Sequence, residues 1–172
     1  ANAVEVLTQE SAYTLYDTPD IIIMPTWTDE NILTYANTAA LTITNNNLAN
    51  TESELSILSR ALRDANPDVA ALAQVTEIAE AYAAMRDGML TTPVPANFAK
   101  AHLDLINTYH ALYEGLSALA TATNDPALAL VRLKRYQDDA TGLQLALENM
   151  YFTLEPHAAL VGPQDPALLF VI

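Results

Sequence analysis

The sequence predicts a mostly α protein: an antiparallel four-helix bundle, one helix of which is open to a break, with extended, partly strand-like N- and C-terminal segments. Three observations carry that reading. Two adjoining stretches place an apolar or aromatic side chain at alternating steps of three and four. The first holds Phe98, His102, Leu105, Tyr109, Leu112, Leu116 and Leu119, and the second Leu133, Tyr136, Ala140, Leu143, Leu147, Met150 and Leu154. This spacing lays one stripe on one face of each helix, which antiparallel neighbours can bury against each other. Asn124-Asp125-Pro126 lies between them, Asp125 suited to an N-cap and Pro126 to the first helical position. Finally, 51% of the residues are hydrophobic and alanine supplies much of that share, which favours closely packed helices over strands.

Residues 1–25 read as an extended N-terminal segment, 26–155 as the helical bundle and 156–172 as an extended hydrophobic tail. In the first, Val4, Val6, Thr8, Tyr13 and Ile21-Ile22-Ile23 are β-branched or aromatic, punctuated by Pro19 and Pro25. Extended segments, short strands being one form of them, are the reading there, with an amphipathic helix over Val4 to Leu15 as the alternative. The first bundle helix starts near Thr26 or Thr28, because Asp29 and Glu30 suit the positive end of a helix. Its inward face is Ile32, Ala36, Ala39 and Ile43. Asn45-Asn46-Asn47 is poor helix material, and Leu48, Leu55, Leu58 and Leu62 form the next stripe. Thr51 and Glu54 have capping-box spacing, so a turn within 45–51 is expected; one long helix with a stutter is the other reading.

Asn66-Pro67-Asp68 breaks the pattern, since proline removes a backbone donor and clashes with the preceding turn. A helix from Pro67 to about Leu90 follows, with Val75, Ile78, Tyr82, Met85 and Met89 inward. Thr91-Thr92-Pro93-Val94-Pro95 is a stiff connector. The turn at Asn124-Asp125 then sets Phe98 near Tyr151, His102 near Leu147, Tyr109 near Ala140 and Leu116 near Leu133. Gly115 and Gly142 mark close approach of these helices, or are tolerated surface positions. Past Leu154, Pro156, Gly162, Pro163 and Pro166 forbid another long helix.

A net charge of −14, from 21 acids against 7 bases, repels phosphate backbones and anionic headgroups, so no nucleic acid partner is expected. No run approaches the roughly 20 apolar residues of a membrane span, and no membrane insertion of this chain is expected. Without cysteine there is neither disulfide nor thiolate ligand. Ala1-Asn2-Ala3 fits either a mature secreted chain or a fragment; abundant Thr and Asn, with only Lys100 and Lys134, weight the secreted reading.

Chemistry is sparse. His102 and His110 stand roughly 12 Å apart along a helix, too far to share one metal. His102 sits on the core stripe and reads as a histidine hydrogen-bonded inside the bundle, while His157 has no partner at ligand spacing. A di-metal bundle needs Glu-x-x-His pairs, and the sequence contains none. Asp138 and Asp139 diverge by about 100° on a helix and make a poor catalytic pair. No catalytic residue, cofactor or metal site is therefore assigned, and a non-enzyme is expected. What remains is surface. Arg132, Lys134 and Arg135 form a basic spot, either a solvated face or a dock for an acidic patch on a neighbouring copy. Ile21, Ile22, Ile23 and Met24, and Leu168, Leu169, Phe170, Val171 and Ile172, either fold back over the bundle or dock into an adjacent subunit. Together with Arg132 and Arg135 they are the candidate assembly interface.

A further pattern runs through Glu54-Leu55-Ser56-Ile57-Leu58, Asn66-Pro67, Ile78 to Tyr82, Pro93-Val94-Pro95 and Ala101-His102-Leu103-Asp104-Leu105-Ile106-Asn107. It ends at Asn124-Asp125-Pro126, with Tyr136 ten residues beyond that proline. These residues resemble an uncharacterised family of secreted or membrane-anchored helical-bundle proteins of candidate-phyla bacteria, often encoded near pilus or type IV secretion genes. The resemblance covers about half of the chain and excludes both ends. It implies an extracytoplasmic bundle at the cell surface and brings no catalytic residues. The expected function is a non-enzymatic, secreted cell-surface structural protein that self-assembles, a filament or appendage subunit being one form. Its partners would be other copies of itself or a surface protein. The alternative is a monomeric binding or accessory module of a pilus or secretion apparatus.

Overall fold

Thr28 opens the first helix. Its hydroxyl accepts from the Asn31 N–H at 3.3 Å, and the Asn31 side chain accepts from the Thr28 N–H at 3.0 Å, a reciprocal cap. Helix α1 then runs Asp29–Asn46. It is followed by α2 (Glu54–Ala61), α3 (Val69–Leu90), α4 (Ala99–Thr121) and α5 (Pro126–Leu154). Short 3-10 stretches lie at Thr18–Asp20, Ala96–Phe98, Glu155–Leu160 and Pro166–Phe170, and two-residue strands at Ile23–Met24 (β1) and Val94–Pro95 (β2). The protein is mostly α. The computed structural model describes residues 14–48, 52–62, 68–121 and 126–171. The expectations for Val4, Val6, Thr8, Tyr13, Thr51, Asn66-Pro67, Asn124-Asp125 and Ile172 lie outside those residues.

The first bundle helix is broken. Asn47 leaves the helical region at φ −71° and ψ 123°, and α2 restarts behind Ser53, whose hydroxyl accepts from the Ser56 N–H at 3.3 Å. That restart rotates the inward face. Ile57, Leu58 and Ala61 are buried, whereas Leu48 and Leu55, expected inside, are exposed. The Asp68 carboxylate accepts from the Ala70 and Ala71 N–H groups at 3.0 and 3.1 Å, so α3 begins at Val69 rather than Pro67.

All seven stripe residues from Phe98 to Leu119 are buried. On α5, Tyr136, Met150 and Leu154 are buried, with Leu133, Ala140, Leu143 and Leu147 half-buried. Helix α4 is the axis, packing on α3 along one side and on α5 along the other. It links two apolar cores. One gathers Ile32, Tyr35, Met89, Phe98, Leu105, Met150 and Phe170; the other gathers Ile57, Leu58, Val75, Ile78, Leu116 and Tyr136.

The ends correct two expectations. The tail is not strand-like. Pro156 and Pro166 each stand in the first turn of a 3-10 stretch, where their fixed φ suits a helical turn, and the strand-forming composition beyond Ala167 is overridden. At the other end the strand is short, and its partner is the connector: Ile23 pairs in parallel with Val94 and Met24 with Pro95. The Val94 N–H donates to the Ile22 carbonyl at 2.8 Å. Pro95, lacking an N–H, is tolerated in so short a ladder.

Contacts between α4 and α5 fall at or within a few residues of the expected register. Asn149 donates to Asp104 at 3.4 Å, and Arg132 donates to the Ala118 carbonyl. Phe98 does not meet Tyr151. Its ring lies 5.3 Å from Tyr35 and 6.0 Å from His157, because α1 and the tail close this end, while Tyr151 turns outward against Phe152. The glycine that enforces close approach is neither Gly115 nor Gly142. A Cβ on Gly88 would come 2.6 Å from Thr42 Cγ2, whereas on Gly115 or Gly142 the nearest atom is 3.9 Å away. Gly88→Ala should therefore destabilise the fold by about 1–2 kcal/mol through overpacking of α1 on α3. Gly142→Ala should stabilise it by up to about 1 kcal/mol through helix propensity. Urea unfolding of the two variants checks both signs.

Candidate functional site

Four polar groups reach into or across the cores, and each is held by partners from a distant part of the chain. His102 is fully buried on α4. Its Nε2 lies 3.1 Å from the Met89 carbonyl at the end of α3, and its Nδ1 lies 3.0 Å from the Tyr35 hydroxyl of α1. A carbonyl can only accept, so Nε2 carries the proton; Nδ1 accepts from Tyr35. The neutral ring thus bolts three helices together. Burial drives its pKa down to about 4, against a smaller opposing pull from the Met89 carbonyl, and burial raises that of the Tyr35 phenol.

Glu54 does the same for the second core. Its carboxylate accepts from the Tyr82 hydroxyl of α3 at 2.9 Å and from the Tyr136 hydroxyl of α5. Burial foremost, and then the Glu54 charge and hydrogen bond, raise the pKa of both phenols. The Tyr82 ring in turn stacks on Tyr109 with centroids 6.1 Å apart.

Two asparagines hold the ends. The Asn107 amide accepts from the Tyr16 N–H at 2.8 Å and donates to the Tyr16 carbonyl at 3.0 Å, copying a strand neighbour from a helix face. Tyr16 also sets its ring edge-on to His110, whose Nδ1 lies 3.2 Å from Arg86. At the other end, Asn37 accepts from the Ala167 N–H at 3.0 Å and donates to Asp165 at 3.2 Å. Asp165 in turn accepts from the Gly162 N–H at 2.7 Å.

These clamps decide where the expected interface residues lie. Ile21 and Phe170 are buried in the chain's own first core, so they are covered in cis. Ile23 and Val171 are half-buried against the same core, and Met24 and Leu168 are half-buried too. Among the described residues of the terminal set, only Ile22 and Leu169 stay exposed, at 51% and 45%. Arg132 is engaged with the Ala118 carbonyl and the Thr121 hydroxyl at the end of α4, and Arg135 with Asp139 at 3.4 Å. Ile172 lies outside the described residues.

Larger exposed apolar side chains lie elsewhere. Leu130, Val131, Leu145 and Phe152 project from α5 into solvent. Beside them a groove of about 440 Å³ runs between α4 and α5, with Leu15, Ala111, Gly142, Leu145 and Ala146 along it and Asp104, Asp138 and Asp139 in its lining. Those carboxylates face Lys100, Lys134 and Arg135 one turn away on their own helices. Among the described residues, no three His, Asp or Glu side chains converge where a metal ion could be held, and no helix is long and apolar enough to cross a membrane.

Sequence reasoning reached His102 but passed over Asn37, Asn107 and the Glu54–tyrosine contacts. The available signal was an amide in a helix interior beside inward residues, Ala36 for one and Ile106 for the other, where asparagine is a poor helix former. Comparison of the chain with protein-family models, with curated proteins and with solved structures finds no match.

Proposed function

We propose that this chain is a non-enzymatic structural protein of the extracellular surface that associates with further copies of itself. Its scaffold, in this reading, is an antiparallel four-helix bundle in which α1 and α2 together make one broken helix. Support for the opposed run of α4 and α5 comes from the pairs Asp104/Asn149, Thr108/Gly142 and Ala118/Arg132, which ascend on one helix as they descend on the other. The observation that carries self-association is the outer face of α5, where Leu130, Val131, Leu145 and Phe152 are 67%, 47%, 56% and 62% exposed. Apolar residues spaced along one helix face in this way mark a contact surface. The buried groups best able to do chemistry, His102 and Tyr35, are spent on each other and on Met89. The extracellular location rests on the family resemblance and on the lysine-poor, threonine- and asparagine-rich composition.

Sedimentation velocity over a wide concentration range tests the proposal. Mass-action growth beyond the monomer is expected, and a single monomeric species at the highest concentration would overturn it. A second reading, a monomeric binding or accessory module of a pilus or secretion apparatus, draws on a different observation. Phe170 and Ala167 complete the chain's own core, so a lone copy has its tail in place. Under that reading the sedimentation experiment returns a monomer, and a heterologous surface protein is the partner to seek.

A further inference from the structure

We infer that the outer face of α5 is an isologous docking surface for a second copy of this chain, the two α5 helices pairing antiparallel about a two-fold axis at Thr141. The inference rests on the self-association proposed above and names the surface that carries it. Val131, Lys134, Asp138, Thr141, Leu145, Glu148 and Phe152 follow one another at alternating steps of three and four, and every one of them is exposed. They form the stripe a partner helix would meet. An antiparallel mate centred on Thr141 places Leu130 of each copy beside Phe152 of the other, so that an apolar contact stands on either side of a small residue at the axis. The same register sets Lys134 of each copy beside Glu148 of the other.

Charge selects this occupant and this orientation. At −14, two copies repel each other over most of their surface. Arg132, Lys134 and Arg135 hold three of the chain's seven bases within four positions, at the start of α5, while Glu148 and Glu155 lie toward and just beyond its end. An antiparallel pair brings the basic half of one helix over the acidic half of the other. A parallel pair would set Lys134 on Lys134 and Glu148 on Glu148. The Lys134 contact to Asp138 on its own helix is an exposed pair, weak enough to be exchanged. A two-fold contact uses the same patch on both copies and closes on itself. Any filament would therefore need a second contact, for which Ile22 and Leu169 remain exposed.

The chain of residues 1–172 suits the test because it contains no cysteine. Lys134→Glu should weaken the association measured by sedimentation about tenfold, since it opposes like charges at two symmetric places. Adding Glu148→Lys should restore it. The two positions are roughly 21 Å apart along one helix, so that rescue cannot occur within a chain. Thr141→Cys should form a disulfide-linked dimer on mild oxidation, and Thr76→Cys, on the exposed side of α3, should not. If the wild-type chain associates but the double charge swap fails to restore it, or Thr141→Cys cross-links no better than Thr76→Cys, the docking surface is wrong while self-association stands. If the wild-type chain stays monomeric throughout, the proposed function falls with it.

Discussion

His102→Ala should lower the unfolding free energy by about 3–4 kcal/mol, read as a drop in the urea midpoint with an unchanged denaturant slope. The ring is fully enclosed, so its removal leaves a cavity that the surrounding helices cannot fill. It also removes a hydrogen bond at each nitrogen, stranding the Tyr35 hydroxyl with only the Met150 sulfur, 3.9 Å away, as a partner. The Met89 carbonyl keeps the Thr92 N–H at 2.9 Å, which limits the loss on that side.

The same residue predicts a pH dependence with a definite sign. Its pKa falls from 6.5 in the unfolded chain to about 4 when folded, so between those values the unfolded state binds the proton and the folded state does not. The stabilisation from the neutral ring is complete above pH 6.5, declines as the pH drops toward 4, and then levels off. About 3 kcal/mol should disappear across that window. Carboxylates titrate there as well. The difference between wild type and His102→Ala isolates the histidine: their stability gap should shrink on acidification from pH 7 to pH 4. A gap that does not change with pH would contradict a neutral, desolvated ring.

Phe170→Ala should cost about 3–4 kcal/mol, although only Val171 and Ile172 follow it in the sequence. It is 3% exposed and shares a core with Tyr35, Phe98 and Met150, so truncation opens a hole between the tail and α1. Asn37→Ala should release the same tail by another route, removing two hydrogen bonds at a cost of about 2 kcal/mol. Limited proteolysis gives the local readout: both variants should be cleaved between Val161 and Phe170 much faster than wild type. A Phe170→Ala chain as stable and as resistant as wild type would mean that the tail is not part of the core.

The helices were legible where periodicity and capping agreed. From Phe98 to Leu119 the apolar steps of three and four found the buried face without error, and Asp29 and Glu30 narrowed the first helix start to Thr26 or Thr28, of which Thr28 is the cap. The pattern misled where a helix restarts. Leu48 and Leu55 continue an apolar rhythm by number, but the chain leaves the helix at Asn47, and a restart at Glu54 carries no memory of the earlier phase. The tail misled for another reason. Leu168 to Val171 have strand composition, yet a strand needs a neighbour to pair with, and Pro166 sets a helical turn that inserts Ala167 and Phe170 into the core instead. Among the candidate site residues, composition flagged the apolar ends but could not say what covers them. The contacts made by Asn37 and Asn107 join positions 130 and 91 residues apart, and nothing in the local sequence near either one encodes its mate.

Those two amides also bear on the order in which the molecule comes together. Helices α3, α4 and α5 meet their neighbours in sequence, and such local contacts form early and fast. Tyr16 with Asn107, and Asn37 with Ala167, are 91 and 130 positions apart, so each must wait for a long loop to close. The ends should therefore lock last and open first. Amide hydrogen exchange would then show Val94, Ala167 and Val171 trading their protons well ahead of the interior of α4, through openings that leave the central helices intact.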